Sequence, residues 1–258
     1  MPLARSTPSH RSVTRIGTAG WTLPKQHAKY FPDSGTHLQR CAQGFTCLEV
    51  NSSFHRPHRR ETWARWADCT PPSFRFSVKL PKTITHEAGL RSCGAALQTF
   101  FEQVSGLGEK LGPVLVQLPP KLSFDDTTAR DFFTTLRELH SGLVALEPRH
   151  ASWFARDVSR LLVEFSVARV AADPPKGSPL AASPGGWPGL CYWRLHGTPR
   201  TYYSSYDASF LAGLAQQLRE NSCAERWIIF DNTALGHATE NALQLMRELR
   251  NNASALSV

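Results

Sequence analysis

Eight short apolar runs recur along the chain, and nearly every one is followed by a longer segment with helical periodicity. Runs of this length with alternating faces predict β-strands. Strands that alternate with helices pair in parallel, because a parallel neighbour needs a crossover connection. The predicted strands cover residues 13–21, 45–54, 74–80, 112–120, 143–153, 167–173, 190–197 and 226–233.

Eight such units within 258 residues fit a closed barrel. A doubly wound open sheet would more often have fewer strands and a GxGxxG turn after the first one. Residues 17–20 read GTAG, which lacks that pattern, and the chain contains no GxxxxGK[ST] phosphate loop. We therefore predict an α/β fold, a single-domain TIM-type (β/α)8 barrel.

The first 14 residues differ from the rest, because they contain no acidic residue and show little periodicity. We predict a disordered basic tail over residues 1–14 and a barrel domain over residues 15–258. Arg5, Arg11 and Arg15 contribute to the net charge of +8, and without them 26 basic and 21 acidic residues remain. That mild excess is compatible with an anionic substrate or nucleic acid, or with an ordinary solvated surface.

Residues 174–188 are rich in Pro, Gly, Ser and Ala and have no helical signal. Such a segment is either a long loop that replaces a helix or a domain boundary. We favour the loop, because the alternation of strands and helices resumes directly after it.

The six cysteines are scattered and include no CxxC pair, which favours reduced thiols. No apolar run approaches the length that spans a bilayer, and the first residues lack the apolar segment of a secretory signal. We expect a cytoplasmic protein without membrane contact, and the oligomeric state stays open.

Polar and charged side chains gather where the predicted strands end, which is where a barrel carries its active site. The fifth strand is the clearest case, since its apolar run ends in a carboxylate, a guanidinium and an imidazole, groups that are costly to bury without partners. The residues concerned are Glu49, Asn51, Lys79, Gln117, Glu147, Arg149, His150, Asp173, Arg194, His196, Asp231 and Asn232.

Seven blocks of the sequence resemble the YecE-like family, which is known as domain of unknown function 72. They are spread over nearly the whole chain after the tail. The blocks are GTAGW at 17–21, LEVNSSFHRP at 48–57, FSVKLPKTITH at 76–86, VQLPP at 116–120, EPRHASW at 147–153, WRLHG at 193–197 and FDNTALGHATENA at 230–242.

The resemblance implies a TIM-type barrel but no particular activity. The chain departs from the family pattern at His55, where Tyr is common, and at Asp231, where Asn is common. The segment after the sixth strand is also shorter. These departures bear on any transfer of ligand preference from the family.

The residues at the strand ends are suited to an enzyme of hydrolase or lyase type that acts on an anionic, phosphorylated or nucleic-acid-like substrate. Lys79, Arg149 and Arg194 are the candidate anion-binding groups, because guanidinium and ammonium groups pair with phosphate or carboxylate oxygens. The predicted catalytic residues, which exchange protons, are Glu49, Glu147, His150 and His196. The predicted substrate-binding residues are Trp21, Asn51, Lys79, Gln117, Arg149, Trp153, Arg194, Asp231 and Asn232.

Other interpretations stay open. Glu147 and Arg149 could instead pair with neighbouring strands in a buried network. A glycosidase would use Glu49 and Glu147 as its paired carboxylates, with Trp21 or Trp153 stacking on the sugar. The same cluster could bind a small anion or nucleic acid without catalysis.

We predict no cofactor. A divalent metal has weak support, because the ligand types are present but the basic residues nearby oppose a cation and no HExxH or paired-Cys spacing occurs.

Overall fold

The structure, a computed structural model, describes residues 12–255. Its strands are β1 Val13–Ala19, β2 Cys47–Val50, β3 Arg75–Lys79, β4 Leu111–Gln117, β5 Val144–Glu147, β6 Val167–Arg169, β7 Ala171–Asp173, β8 Gly185–Gly186, β9 Leu190–Leu195 and β10 Glu225–Phe230. Its α-helices are α1 His37–Gly44, α2 Ser52–His55, α3 Arg60–Asp68, α4 Gly94–Val104, α5 Asp126–Leu139, α6 Arg156–Glu164, α7 Ala208–Glu220 and α8 His237–Ala255.

The ten strands form one sheet in the order β7-β9-β10-β1-β2-β3-β4-β5-β6-β8. Every pairing is parallel except that of β8 with β6. The predicted sixth strand is divided, since β6 pairs with β5 and β7 pairs with β9. The division at Val170 brings the two sides of the sheet together, so the sheet is a nearly closed barrel. The predicted TIM-type α/β barrel is confirmed.

Alternation along the strands produces two separate apolar layers. The inward-facing residues form a small cluster that includes Cys47, Leu115, Tyr192 and Trp227. The outward-facing residues pack against the helices and form the larger part of the core. Because the inward positions become polar towards the carboxyl ends of the strands, the charged residues meet inside the mouth of the barrel.

Several helix boundaries follow from capping residues. Thr36 and Gln39 form a capping box at the start of α1, and the Asp125 carboxylate accepts the backbone N–H of Thr128 at the start of α5. Several predicted boundaries are wrong; the fifth strand, predicted over residues 143–153, ends at Glu147. The second strand ends at Val50 and is followed by α2, and the helix expected from Ser152 begins at Arg156 after a short 3-10 helix, Ala151–Phe154.

Residues 174–188 contain no α-helix, as expected for a loop that replaces one. They include a 3-10 turn, Pro179–Ala182, and the two residues of β8, which pair with the outer side of β6. Of the predicted tail, residues 1–11 lie outside the described residues, and residues 13 and 14 belong to β1.

The prediction that all cysteines are reduced is wrong for two of them. Cys191 at the second position of β9 and Cys223 just before β10 form a disulfide. Their spacing of 32 residues gives no sequence signal, because neighbouring parallel strands bring the two positions together. Within residues 12–255, no helix is long and apolar enough to cross a bilayer.

Candidate functional site

Arg194 lies at the centre of a buried ion network at the carboxyl ends of the strands. Its Nε and Nη2 donate to the two carboxylate oxygens of Glu49, at 3.0 and 2.7 Å. Its Nη1 donates to Glu147 Oε2 at 2.6 Å, and its Nη2 also contacts Asp231 Oδ2 at 3.1 Å. One guanidinium therefore joins carboxylates that come from β2, from β5 and from the residue after β10.

A second guanidinium completes the pairing of Glu147. Nε and Nη2 of Arg149 both donate to Glu147 Oε1, at 3.1 and 2.9 Å. Burial opposes ionisation of Glu147, but the charge of Arg194, the contact with His196 and the charge of Arg149 outweigh it and hold its pKa well below the usual range. Glu147 is thus a carboxylate bound by arginines, which agrees with the interpretation of a buried network.

His196 connects the two ends of this network. Its Nδ1 lies 2.9 Å from Asp231 Oδ2, and its Nε2 lies 3.4 Å from Glu147 Oε1 without the alignment of a hydrogen bond. Burial alone would lower the pKa of His196, but the two carboxylates raise it above its ordinary value. Burial likewise opposes ionisation of Asp231, but Arg194 and His196 lower the pKa of this carboxyl group.

Lys79 at the end of β3 has an unusual environment. Its side chain is only 9% exposed, and its Nζ lies 3.9 Å from the centroid of the Phe54 ring. Within the described residues its ammonium donates no hydrogen bond and forms no ion pair. Burial, assisted by the positive charges of Arg194 and Arg149, lowers the pKa of Lys79 to about 8, although Glu49 and Glu147 oppose the shift.

His86 contacts the same aromatic ring as Lys79, although it was not predicted to be a site residue. The ring of His86 packs edge-on against Phe54, with centroids 4.9 Å apart, and its Nδ1 lies 2.8 Å from Thr85 Oγ1. The amide nitrogen of Gln117 lies 3.5 Å from its Nε2 and also donates to the carbonyl of Leu118. Burial and then the charges of Lys79 and Arg149 lower the pKa of His86, which favours the neutral ring.

Tyr192 and Ser77 were also missed, although alternation places them on the inner face, two residues before Arg194 and Lys79. The Tyr192 hydroxyl lies 2.8 Å from Glu49 Oε2 and 2.7 Å from Ser77 Oγ. Burial and the neighbouring Glu49 raise the pKa of Tyr192 well above its ordinary value, so the phenol is neutral. This hydroxyl lies beneath the ion network and orients Glu49.

Two predicted substrate-binding residues are part of the packing. Trp153 is buried, contacts Phe124 edge-on and donates its indole N–H to the carbonyl of Leu122. Asn232 is buried, and its amide nitrogen donates to Ser204 and Asn241. The indole N–H and the amide nitrogen are both taken up by these internal contacts, whereas Asn232 Oδ1 has no partner in the described residues; contact of either side chain with substrate stays a prediction.

Three other predicted residues lie at the edge of the mouth. Trp21 is half-buried and packs edge-on against Trp66, with centroids 4.9 Å apart. Asn51 is half-buried, and its Oδ1 has no hydrogen-bond partner in the described part of the chain. His150 uses Nδ1 to accept the backbone N–H of Ser152, so it caps a short helix.

The glycosidase interpretation does not fit this geometry. Glu49 is fully buried, and both of its oxygens are bound by Arg194, with Tyr192 against one of them. A nucleophile or acid of a glycosidase must reach the sugar, whereas Glu49 is enclosed. Within residues 12–255, no group of three or more His, Cys, Asp or Glu side chains is arranged to hold a metal ion.

Fold and site together define a single-domain barrel protein with a buried ion network at the carboxyl ends of its strands. The chain belongs to the family described as protein of unknown function DUF72, whose sequence model matches residues 15–257.

Among curated proteins, the UPF0759 protein YecE of Escherichia coli K12 is 31% identical over 165 residues, which cover 61% of this chain and 58% of the relative. Its counterpart in E. coli O157:H7 is 32% identical over 143 residues, which cover 55% of this chain and 50% of the relative. The chain thus spans between 50% and 58% of the length of these relatives.

Two solved structures of DUF72 family proteins have the same fold. The protein from Thermotoga maritima is 25% identical, with a TM-score of 0.75 over 92% of this chain and 99% of that one. The protein from Enterococcus faecalis is 21% identical, with a TM-score of 0.78 over 92% of this chain and 96% of that one. Both have the barrel architecture found in this chain.

Proposed function

We propose that this protein is an enzyme that acts on an anionic substrate at the carboxyl-end mouth of its barrel. The observation that carries the proposal is that the carboxylates of the ion network all have a cationic partner, whereas one of the nearby cations has no anionic partner. The carboxylates of Glu49, Glu147 and Asp231 are all bound by Arg194, whereas Lys79 has no ionic partner in the described residues. A buried ammonium that faces an aromatic ring but has no counter-ion is only partly compensated, so a ligand that supplies negative charge is its natural complement.

Arg149 is the second group that supports an anion. Its side chain is 20% exposed, and Glu147 takes up only Nε and Nη2. Nη1 has no partner among residues 12–255 and can donate to a phosphate or carboxylate oxygen. Arg194, by contrast, donates to three carboxylates, so we propose that it positions these carboxylates and does not bind substrate.

Proton transfer in this proposal belongs to His196 and Asp231. Their contact at 2.9 Å connects the buried network to Asp231, whose side chain is slightly exposed at the mouth. Hydrolysis and elimination both need a group that exchanges protons beside the bound anion. A hydrolase or lyase is therefore the reaction class that we propose, and a phosphorylated compound or a nucleic-acid fragment is the proposed substrate.

A thermal-shift screen tests the anion-binding part of the proposal. Purified protein is heated with phosphate, small organic phosphates, oxo acids, short oligonucleotides, neutral sugars and divalent metals. We expect one anionic class to raise Tm, and we expect Arg149→Ala to abolish the rise. Arg130→Ala is the matched control, because Arg130 is an exposed arginine that pairs with Asp126 and Glu164. Stabilisation that survives Arg149→Ala, or none by any anion, would contradict the proposal.

A non-catalytic binding protein is the second candidate, since the unpartnered cations would serve it equally well. Turnover of the stabilising compound, followed by mass spectrometry, separates the two. For an enzyme we expect His196→Gln to keep the thermal shift and lose turnover. A binding protein would show the shift and no turnover in either form.

A cytoplasmic location is also part of the proposal. Scattered cysteines support it, whereas the Cys191–Cys223 disulfide is of a kind more common in oxidising compartments. Trapping the thiols of cells with a maleimide before lysis, followed by mass spectrometry, tests it. Complete oxidation of this pair in cells would place the protein in an oxidising compartment.

A further inference from the structure

Lys79 is a buried amine without an ion pair among residues 12–255, and the close contact of its Nζ is the face of the Phe54 ring, which by itself favours the charged form. Its neighbours include two arginines as well as two glutamates, and neither glutamate bonds to it. Burial lowers its pKa to about 8, so a substantial fraction is neutral near physiological pH. A neutral primary amine has a free electron pair, which an ammonium lacks.

The geometry around Phe54 adds a proton-transfer group. Lys79 Nζ and the His86 ring both contact the Phe54 ring. The ammonium lies over its face, and the imidazole packs against it in an edge-on arrangement. The amide nitrogen of Gln117 points towards His86 Nε2. That arrangement assigns the ring proton to Nδ1, where Thr85 accepts it, and leaves on Nε2 an electron pair that faces the Gln117 amide across 3.5 Å.

We propose that Lys79 forms a Schiff base with the carbonyl carbon of a small anionic oxo compound, while Arg149 binds the anionic group and His86 moves the protons. This inference rests on the proposed function for its anionic substrate and adds to it the chemical class of the reacting group. Desolvated lysines on barrel scaffolds are suited to this chemistry because the neutral amine is the nucleophile.

The step balances without a redox partner. The electron pair of Nζ attacks the carbonyl carbon, and the π electrons of the C–O bond move to oxygen. His86 Nε2 takes a proton from the nitrogen and delivers it to that oxygen, which gives a carbinolamine. The hydroxyl then takes a second proton and leaves as water when the C=N bond forms. One amine, one carbonyl and one proton give a protonated imine and water.

The test is reductive trapping on the full-length protein. Pyruvate, dihydroxyacetone phosphate and the uncharged glycolaldehyde are each incubated with the protein at pH 7.5 and reduced with cyanoborohydride. Peptide mass spectrometry then locates any stable secondary amine. We expect at least about tenfold more adduct at Lys79 than at Lys82, because burial lowers the pKa of Lys79 to about 8, whereas Lys82 is exposed and its ammonium pairs with Glu87. Adducts at the two lysines in equal amount, or none at Lys79, would overturn the inference.

Variants distinguish this inference from the proposed function. Lys79→Arg should abolish the adduct, and Lys82→Arg should leave it unchanged; circular dichroism checks that both are folded. A protein that is stabilised by anions but gives no adduct would keep the proposed function and refute the Schiff base. A protein that traps glycolaldehyde on Lys79 but is not stabilised by any anion would refute the proposed function, and with it the anionic substrate of the Schiff base, and would leave only a reactive lysine.

Discussion

Arg194 and Glu49 form a bidentate ion pair across the interior of the barrel. Nε and Nη2 of the arginine donate to the two oxygens of the glutamate at 3.0 and 2.7 Å, and both side chains are almost completely buried. The two residues come from β9 and β2, which are not neighbours in the sheet. The pair therefore links opposite sides of the barrel, and loss of either partner leaves a buried charge.

Arg194→Met should strongly destabilise the protein. Removing one partner of a buried ion pair leaves Glu49 with the Tyr192 hydroxyl but without its guanidinium donors, which costs about 3–5 kcal/mol of unfolding free energy. Urea denaturation at pH 7 measures the loss. Arg130→Ala, which removes exposed ion pairs, should cost far less. Equal losses for the two variants would mean that the network contributes little to stability.

Tyr192→Phe tests the hydroxyl beneath the network. Its removal leaves an oxygen of Glu49 with one donor fewer in a buried site, so we expect a loss of about 1–3 kcal/mol. Tyr203→Phe, on an exposed ring that stacks with Arg200, is the control and should be neutral. A neutral Tyr192→Phe would show that the Ser77 and Glu49 contacts do not hold the site together.

His196 gives stability a pH dependence of defined sign. Its pKa in the folded state is raised, so its contribution is complete below the unfolded value of about 6.5 and is lost as pH rises through the folded value. The gap in unfolding free energy between the protein and His196→Gln should therefore shrink between pH 6 and pH 9. Urea titrations at several pH values measure it, with His55→Gln on an exposed side chain as the control. A constant gap would refute the assignment.

The barrel was predictable because the same pattern, an apolar strand followed by a helical segment, recurs along nearly the whole sequence. Each strand shows alternation, and each helix has its own apolar period, so the errors fell on boundaries such as Ser152 and on the division at Val170. The disulfide between Cys191 and Cys223 could not be predicted, since its two ends are adjacent only after β9 and β10 pair.

The site was predictable in composition but not in pairing. Alternation correctly placed Glu49, Glu147 and Arg194 on the inner face of the barrel. The sequence could not show that one guanidinium binds both carboxylates, because that depends on the diameter of the barrel and on side-chain conformations. It also could not show that Lys79 lacks an ionic partner in residues 12–255, which gives this lysine a role different from that of the arginines.

Removal of the disulfide should destabilise the protein moderately. A link that closes a loop of 32 residues stabilises mainly by restricting the unfolded chain, typically by about 2–4 kcal/mol. We expect a loss in this range for Cys223→Ser and an equal loss for the wild-type protein in a reducing agent. Cys69→Ser, at a free and half-buried cysteine, is the control. A reducing agent that does not change the urea midpoint would contradict the prediction.

Lys79→Met should stabilise the protein, in contrast to the other variants of the site. The folded-state pKa of about 8 lies below the ordinary lysine value, so the charged form destabilises the folded state at neutral pH. Below pH 8 this cost is complete, and it disappears as pH rises towards about 10.5. Methionine has a similar length without the charge, and we expect a gain on the order of 2 kcal/mol at pH 7 that falls to roughly a quarter of this value at pH 10. Urea denaturation at both pH values measures it. A loss of stability at pH 7 would show that an internal partner compensates the ammonium, whereas a gain would show that the chain keeps a destabilising charge where a ligand can use it.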